Sequence, residues 1–207
     1  GQVTKVLPGI QTAFVEIGQE RSGFLHISEI DREMAISNMS DSIDADEPGT
    51  KKEPRTRYQP ADISKILKEN ETLLLQVSKE PVNEKGAKLT TCFTLPGRFI
   101  VLMPNIPRIG ASKKIEEREE RARLKDIVSK LLPEGMGAII RTCSENRKED
   151  EIRQDVKFLL QTWNEIVEKE KIATCPSKIY QDISLPFQII REHLDNDVEA
   201  VICDNKE

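Results

Sequence analysis

The run Phe99 to Met103, FIVLM, is apolar throughout and is bounded by Pro96-Gly97 on one side and Pro104-Asn105 on the other. A strand with one wet face would alternate apolar and polar residues. An unbroken apolar run between turn residues instead predicts a strand buried on both faces, which requires structure packed on either side of it. The preceding segment differs: Val77 to Thr91 alternates poorly and carries Lys79, Lys85 and Lys88. Gly86 to Asn105 therefore reads as a junction between a basic strand-rich unit and a second unit with a buried sheet. From Asn83 to Lys125, ten Lys or Arg stand against five Glu, a local excess of five positive charges in a chain of formal net charge -5. Part of that run has the pattern of a solvated helix face, because Glu116, Glu117, Glu119 and Glu120 interleave with Arg118, Arg121 and Arg123.

Ahead of the junction, Gly1 to Leu7, Ala13 to Ile17 and Gly23 to His26 are short β-rich runs separated by Pro8-Gly9 and by Gly18 to Arg21. This spacing predicts an antiparallel barrel. Thr72 to Lys79 and Ala87 to Thr91 bring the count to five strands, the number of an OB-fold. Phe14 and Phe24 occupy near-equivalent positions in successive strands. They are either core residues or a platform on which single-stranded bases stack, and His26 is either a rim contact or a satisfied polar group. Ser28 to Pro60 is rich in Asp, Glu, Ser, Lys and Pro with little apolar periodicity, so it reads as a long, mobile surface insertion (28-60). Its Lys51 to Arg57 cluster reads as solvated loop. Ile63 to Glu69 reads as a short helical or turn segment.

Beyond the junction, Lys113 to Leu131 and Glu149 to Lys171 are amphipathic helices by their apolar spacing. The second carries Ile152, Val156, Leu159, Leu160, Trp163, Ile166 and Val167 on one face, which makes Trp163 a core residue. Leu185-Pro186 suits the first turn of a helix through Leu194, and Glu199 to Cys203 reads as a strand. Between the long helices, the apolar Ala138 to Ile140 delivers Arg141 and Thr142 together. A planar guanidinium fork beside a hydroxyl matches the oxygens of a phosphate; the plainer alternative is a pair that caps a strand.

Length and composition narrow the classes. The 207 residues suit one or two domains. Cys92, Cys143, Cys175 and Cys203 are far apart, with no Cys-x-x-Cys pair, so neither a zinc site nor a disulfide framework is expected. No stretch is apolar and long enough to span a membrane and no signal peptide is visible, so a cytoplasmic location is expected. A pI of about 5.4 argues against indiscriminate coating of nucleic acid, whereas a local basic patch suffices for electrostatic binding. Gly1 lies within strand-like sequence, so the chain is expected to be a fragment of something larger.

Four segments, GQVTKVLPGIQTAFVEIGQERSGFLHISEI, LLLQVSKEPVNEKGAKLTTCFTLPGRFIVLMPN, ASKKIEEREERARLK and LLPEGMGAIIRT, resemble in order and spacing the amino-terminal half of the RNase E/G family of bacterial endoribonucleases. The resemblance runs from Gly1 to about Asn205, apart from the insertion. It implies an α+β chain: a five-stranded OB-type β-barrel for RNA binding (1-92), an α/β 5′-sensor region (93-185), and the start of a returning, partial RNase H-like segment (186-207). It places Arg141 and Thr142 on a 5′-terminal monophosphate, with Gly97 and Val101 as backbone positions beside the terminal nucleotide. Phe14, Phe24, Lys79, Lys85 and Lys88 become candidate contacts to single-stranded RNA. One departure concerns the pocket: where the family usually continues into small, glycine-containing sequence, this chain has Cys143-Ser144-Glu145-Asn146 and then Arg147-Lys148. Glu145 near a phosphate would repel it unless it points away.

The family's metal-binding aspartates and its zinc-binding cysteines for oligomerisation lie downstream of the matched portion. No catalytic or metal-binding residue is therefore nominated, and Asp182, Asp195, Asp197 and Asp204 read as surface or capping groups. The chain is expected to bind RNA without cutting it and to hold no cofactor, with Mg²⁺ and homo-oligomerisation belonging to the complete enzyme. Two other readings are a freestanding OB-fold RNA-binding module without nuclease activity, and a basic seam that recruits acidic proteins.

Overall fold

The computed structural model describes residues 1–30, 43–44, 62–82, 84–194 and 198–204. β1 (Gln2–Leu7) ends in a 3-10 turn at Pro8–Ile10, where the ring of Pro8 supplies no N–H to continue a ladder. Gln11 takes a left-handed conformation (φ 49°) and its N–H donates to the Pro8 carbonyl at 3.1 Å. The chain thereby reverses into β2 (Thr12–Glu16), and a second reversal leads to β3 (Gly23–His26) and a 3-10 turn at Ile27–Glu29. Next in chain order come β4 (Ile43–Asp44), α1 (Ile63–Ile66), β5 (Gln76–Lys79) and β6 (Lys88–Thr90).

The first sheet has the order β1-β2-β3-β6-β5. The spacing predicts an antiparallel barrel, but β3 and β6 run parallel, since the chain crosses over between residues 27 and 87 rather than turning back directly. Gly86 permits the approach: a Cβ there would stand 2.0 Å from the Ser22 carbonyl oxygen. Ladder pairing among the described strands does not close this sheet into a barrel. The free edge of β1 meets residues 70–73 through the bridge Gln2–Thr72, with Val3 N–H donating to Glu71 O and Asn70 N–H to Val3 O, both at 2.8 Å. Val3, Ala13, Val15, Leu25, Leu89, Ile27 and Ile63 fill the core beneath the sheet.

The second sheet combines β4 with β7 (Leu95–Pro96), β8 (Ile100–Met103), β9 (Ile109–Ser112) and β10 (Gly137–Ile140) in the order β4-β9-β10-β8-β7. The apolar run of the junction is β8, and it is buried from both sides. Ile100 and Leu102 join the main core, while Met103 packs with Cys92 and Ile106 in a smaller cluster. β9 and β10 are parallel, joined through α2 (Arg118–Leu131). α3 (Glu149–Ile172) follows β10 and buries Ile152, Val156, Leu159 and Ile166 against the sheet. Trp163 packs at the rim of that core, its ring 5.3 Å from Phe93, and α4 (Leu185–His193) begins at the expected proline.

Three expectations need correction. Within the 28-60 segment read as a mobile surface insertion, Ile43–Asp44 pairs antiparallel with Ser112 and Ala111, and a capped turn from Ile27 to Glu29 runs into its start; most of 28-60, with Lys51 to Arg57, lies outside the described residues. The first long helix begins at Arg118 rather than Lys113, because Ile115 closes a turn onto Ser112 and is buried ahead of the helix. Residues 199–203 form no strand: no described strand supplies partners for their backbone groups, and Ile202 is 95% exposed.

Glu120 also departs from the solvated face expected of α2. It is buried, accepts from Arg123 Nε at 2.6 Å and Nη2 at 2.7 Å, and takes the Asn146 N–H at 2.9 Å. The Arg123 hydrogen bond chiefly holds its carboxyl below the ordinary value of 4.5. A lowered carboxylate stabilises the fold at pH above its unfolded value and loses that contribution as pH falls through the folded value. Glu120→Gln is expected to lower unfolding free energy by about 1–3 kcal/mol at pH 7. In denaturant titrations the difference from the parent should shrink as pH drops below about 4.5; a pH-independent difference would refute the ionic role.

Candidate nucleic-acid interface

Register across the first sheet brings five residues into one row. Lys5 lies opposite Phe14, Phe14 opposite Phe24, Phe24 opposite Lys88, and Lys88 opposite Lys79. The chain neighbours of Phe14, Phe24 and Lys88, namely Ala13, Val15, Leu25, Ala87 and Leu89, are buried, so these three residues occupy the face turned away from the core; Lys5 and Lys79 continue the row across register shifts at either end and are exposed. Phe14 is 37% exposed, which settles its position outside the core, and Phe24 is half-buried beside it. Two aromatic faces flanked by ammonium groups can stack bases and neutralise the phosphates between them.

The row modifies the list of candidates. Lys5 was not singled out from the sequence; only the β1–β2 register, with its irregularity between Val3 and Lys5, places it there. Lys79 is exposed on β5, while Lys88 forms an ion pair with Glu29, which shares its charge. Lys85 lies off the row, exposed in the turn closed by Val82 and Lys85. His26 acts locally: its Nδ1 lies 3.2 Å from Ser28 N and 2.8 Å from Ser28 Oγ, capping the 3-10 turn.

The second cluster forms where β10 runs beside β8. Ile140 pairs with Ile100 and Ile139 with Val101, so Arg141 leaves the sheet next to Phe99, to whose carbonyl its N–H donates at 2.9 Å. Its guanidinium then reaches back: Nη1 donates to the Gly97 carbonyl at 2.9 Å. Gly97 is buried in the turn between β7 and β8, and a Cβ there would stand 2.6 Å from Asp155 Oδ2 and 2.7 Å from Leu159 Cδ1. Asp155 of α3 accepts three backbone N–H groups of the same turn, Arg98 at 3.1 Å, Phe99 at 2.8 Å and Ile100 at 3.1 Å.

Thr142 is exposed at the start of a 3-10 turn, Thr142–Ser144, which Ser144 pins by donating to the Phe99 carbonyl at 2.6 Å. Burial raises the pKa of the intervening Cys143 thiol, whose Sγ lies 2.8 Å from the Arg98 carbonyl oxygen. Gly97 and Arg141 thus meet at one end of the sheet, with Thr142 next along the chain. Val101 lies along the same hairpin, paired with Pro96 and Ile139. The carboxylate in contact with Arg141 belongs to Glu192 of α4, whose Oε1 lies 3.1 Å from Nη1 and 3.1 Å from Nη2.

Sequence reasoning missed both Asp155 and Glu192. Asp155 had a readable signal, since it lies three residues after Ile152 and four before Leu159, on the apolar stripe where a charge needs a reason. Glu192 had none. Beside Gly97 a cleft of about 260 Å³ opens between Phe158, Tyr180, Ile183 and Arg191. Burial and Asp182 raise the Tyr180 phenol, and Asp182 is paired with Arg191 at 3.3 Å. Among the described residues no group of three or more His, Cys, Asp or Glu side chains could hold a metal ion, and no helix is long and apolar enough to cross a membrane.

Comparison with known proteins gives this geometry a context. The model of the Ribonuclease E/G family matches residues 94–207. Ribonuclease G of Haemophilus influenzae is 39% identical over 206 residues, covering 100% of this chain and 39% of that protein. Ribonuclease G of Escherichia coli K12 is 33% identical over 206 residues, again across the whole chain and 40% of its own length. Ribonuclease E of Escherichia coli K12 is 32% identical over 206 residues, covering 99% of this chain and 18% of its own length. The chain therefore spans well under half the length of these relatives. Its family model covers more than half of the chain and the resemblance extends through the first sheet as well, so the chain belongs to the Ribonuclease E/G family.

Proposed function

We propose that the chain is the RNA-binding and 5′-monophosphate-sensing portion of an RNase E/G-type endoribonuclease that acts on single-stranded RNA in processing and decay. The observation that carries this reading is the Arg141 guanidinium, oriented by the Gly97 carbonyl beside the exposed Thr142. A fixed fork next to a free hydroxyl suits the several oxygens of a terminal phosphate, which a 5′-hydroxyl end lacks. Residues 93-185 are the sensor in this reading, and 186-207 begin the RNase H-like segment.

Residues 1-92 are read as an OB-type domain. The parallel pairing of the third strand with the last, and the bonds from β1 to residues 70–73 that lead towards β5, support a barrel bent shut on that side. The row Lys5, Phe14, Phe24, Lys88 and Lys79 is its RNA face, with Lys85 a further phosphate contact from the turn. Cleavage, the Mg²⁺ it needs and homo-oligomer formation are assigned to the complete enzyme, in the cytoplasm, and no catalytic step to the residues described here.

Binding of short single-stranded RNA, followed by fluorescence anisotropy, tests the face. Phe14→Ala and Phe24→Ala are each expected to weaken binding by about 1–3 kcal/mol without lowering the unfolding midpoint, since neither ring is in the core. Lys5→Ala and Lys79→Ala are expected to lower affinity for all sequences and reduce the salt slope by about one each. RNA that fails to bind even at low salt would leave the basic row to another partner.

The pocket is tested by comparing 5′-monophosphate with 5′-hydroxyl RNA. The chain is expected to favour the phosphate, and Arg141→Ala to remove about 1.5–3 kcal/mol of that preference. Equal affinity for both ends, or a preference that survives the substitution, would overturn the sensor reading.

A further inference from the structure

We infer that the Glu192 carboxylate competes with a terminal phosphate for Arg141 and is the residue that sets how much anionic charge the pocket demands. The inference rests on the phosphate-pocket reading. Arg141 offers five N–H donors, of which Nη1 donates to the Gly97 carbonyl. The same nitrogen and Nη2 both face Glu192 Oε1 at 3.1 Å, so one carboxylate oxygen holds the part of the fork that two phosphate oxygens would share. Nothing in this arrangement locks the carboxylate in. The side chains of Arg141 and Glu192 are 28% and 34% exposed, and Glu192 sits in the last turn of α4, within reach of solvent.

Displacement also leaves Glu192 with a second cation. Its Oε1 already lies 4.0 Å from Arg191 Nη2, while Arg191 Nη1 is held by Asp182 at 3.3 Å. The exchange therefore trades one anion on Arg141 for another, and charge decides it. A terminal phosphate carries about -1.5 to -2 at pH 7 against one negative charge for the carboxylate. A 5′-hydroxyl carries none and leaves the Arg141–Glu192 pair intact. Glu192 thus discounts every weaker anion before the RNA end is read. Had the carboxylate served to orient the guanidinium instead, its removal would weaken phosphate binding, so the two roles differ in sign.

The test uses the 207-residue chain, unsubstituted and as Glu192→Gln, titrated with one short single-stranded RNA bearing either a 5′-monophosphate or a 5′-hydroxyl. Because the lost pair is a partly exposed one, Glu192→Gln is expected to tighten the monophosphate RNA by about two- to fivefold and to leave the hydroxyl RNA unchanged. Glu192→Ala, which introduces no amide donor, is expected to act in the same direction. Combined with Arg141→Ala, neither change should have any effect, which a double-mutant cycle reads directly. Weaker or unchanged monophosphate binding in both Glu192 variants would overturn the inference, as would equal tightening of both RNAs, the mark of a general charge effect. If Arg141→Ala abolishes the phosphate preference and the Glu192 variants fail to raise it, the competitor role falls while the pocket stands. If the unsubstituted chain shows no preference at all, both fall together.

Discussion

Three consecutive amides at the turn between β7 and β8 converge on a single carboxylate, Asp155, and much of the second unit depends on that contact. Hydrogen bonds to a charged acceptor are worth about 1.5–3 kcal/mol each where burial is adequate, more than a neutral pair. Their effect here is geometric as well as energetic. They tie α3 to the hairpin, press Leu159 and the carboxylate against Gly97 until no side chain fits there, and leave the Gly97 carbonyl aimed at Arg141. Glu120 does the equivalent on the other side. From α2 it accepts the Asn146 N–H and holds Arg123, whose Nη2 also donates to the Arg147 carbonyl at 3.0 Å. Two helix carboxylates therefore position the two loops between which Arg141 and Thr142 emerge.

The junction between the sheets is stiffened by side chains rather than by chain connectivity alone. Gln76 on β5 makes a paired contact with the backbone of Thr94, donating to its carbonyl at 2.9 Å and accepting its N–H at 2.8 Å. Asn105 donates to the Thr91 carbonyl at 2.6 Å and accepts the Phe93 N–H at 3.1 Å. These amide side chains satisfy backbone groups that no strand ladder reaches, which is the usual requirement for a partly buried connection. The residues that end the first sheet and those that begin the second are thus fixed to one another, and the Phe14–Phe24 row and the Arg141 cluster are parts of one hydrogen-bonded framework.

Both clusters mix groups whose chemistry is plain with groups that temper it. On the sheet face, Lys88 stands between Phe24 and Lys79 but spends part of its charge on Glu29. At the pocket, Arg141 meets Glu192. In each case a cation that would bind any anion is partly neutralised from within. This fits a chain of net charge -5 that carries local basic clusters without being basic overall.

The sequence by itself determined what depends on near neighbours. Short β-rich runs and the turn residues between them marked the strands of the first sheet, the unbroken FIVLM marked β8, and 3.6-residue spacing marked α3 and its buried stripe, because these patterns act within a few residues along the chain. Arg141 beside Thr142 at a strand end was legible for the same reason, and the segments that carry the family resemblance are themselves local. Tertiary structure alone decided the parallel β3–β6 pairing, the entry of Lys5 into the aromatic row, the pairing of Lys88 with Glu29, the strand at Ile43–Asp44, and the meeting of Arg141 with Glu192. It also left Glu199 to Cys203 without the strand that their composition suggested. Each of these turns on which distant segment lies alongside, and β structure and ion pairs take their partners from long-range register, which no local periodicity encodes.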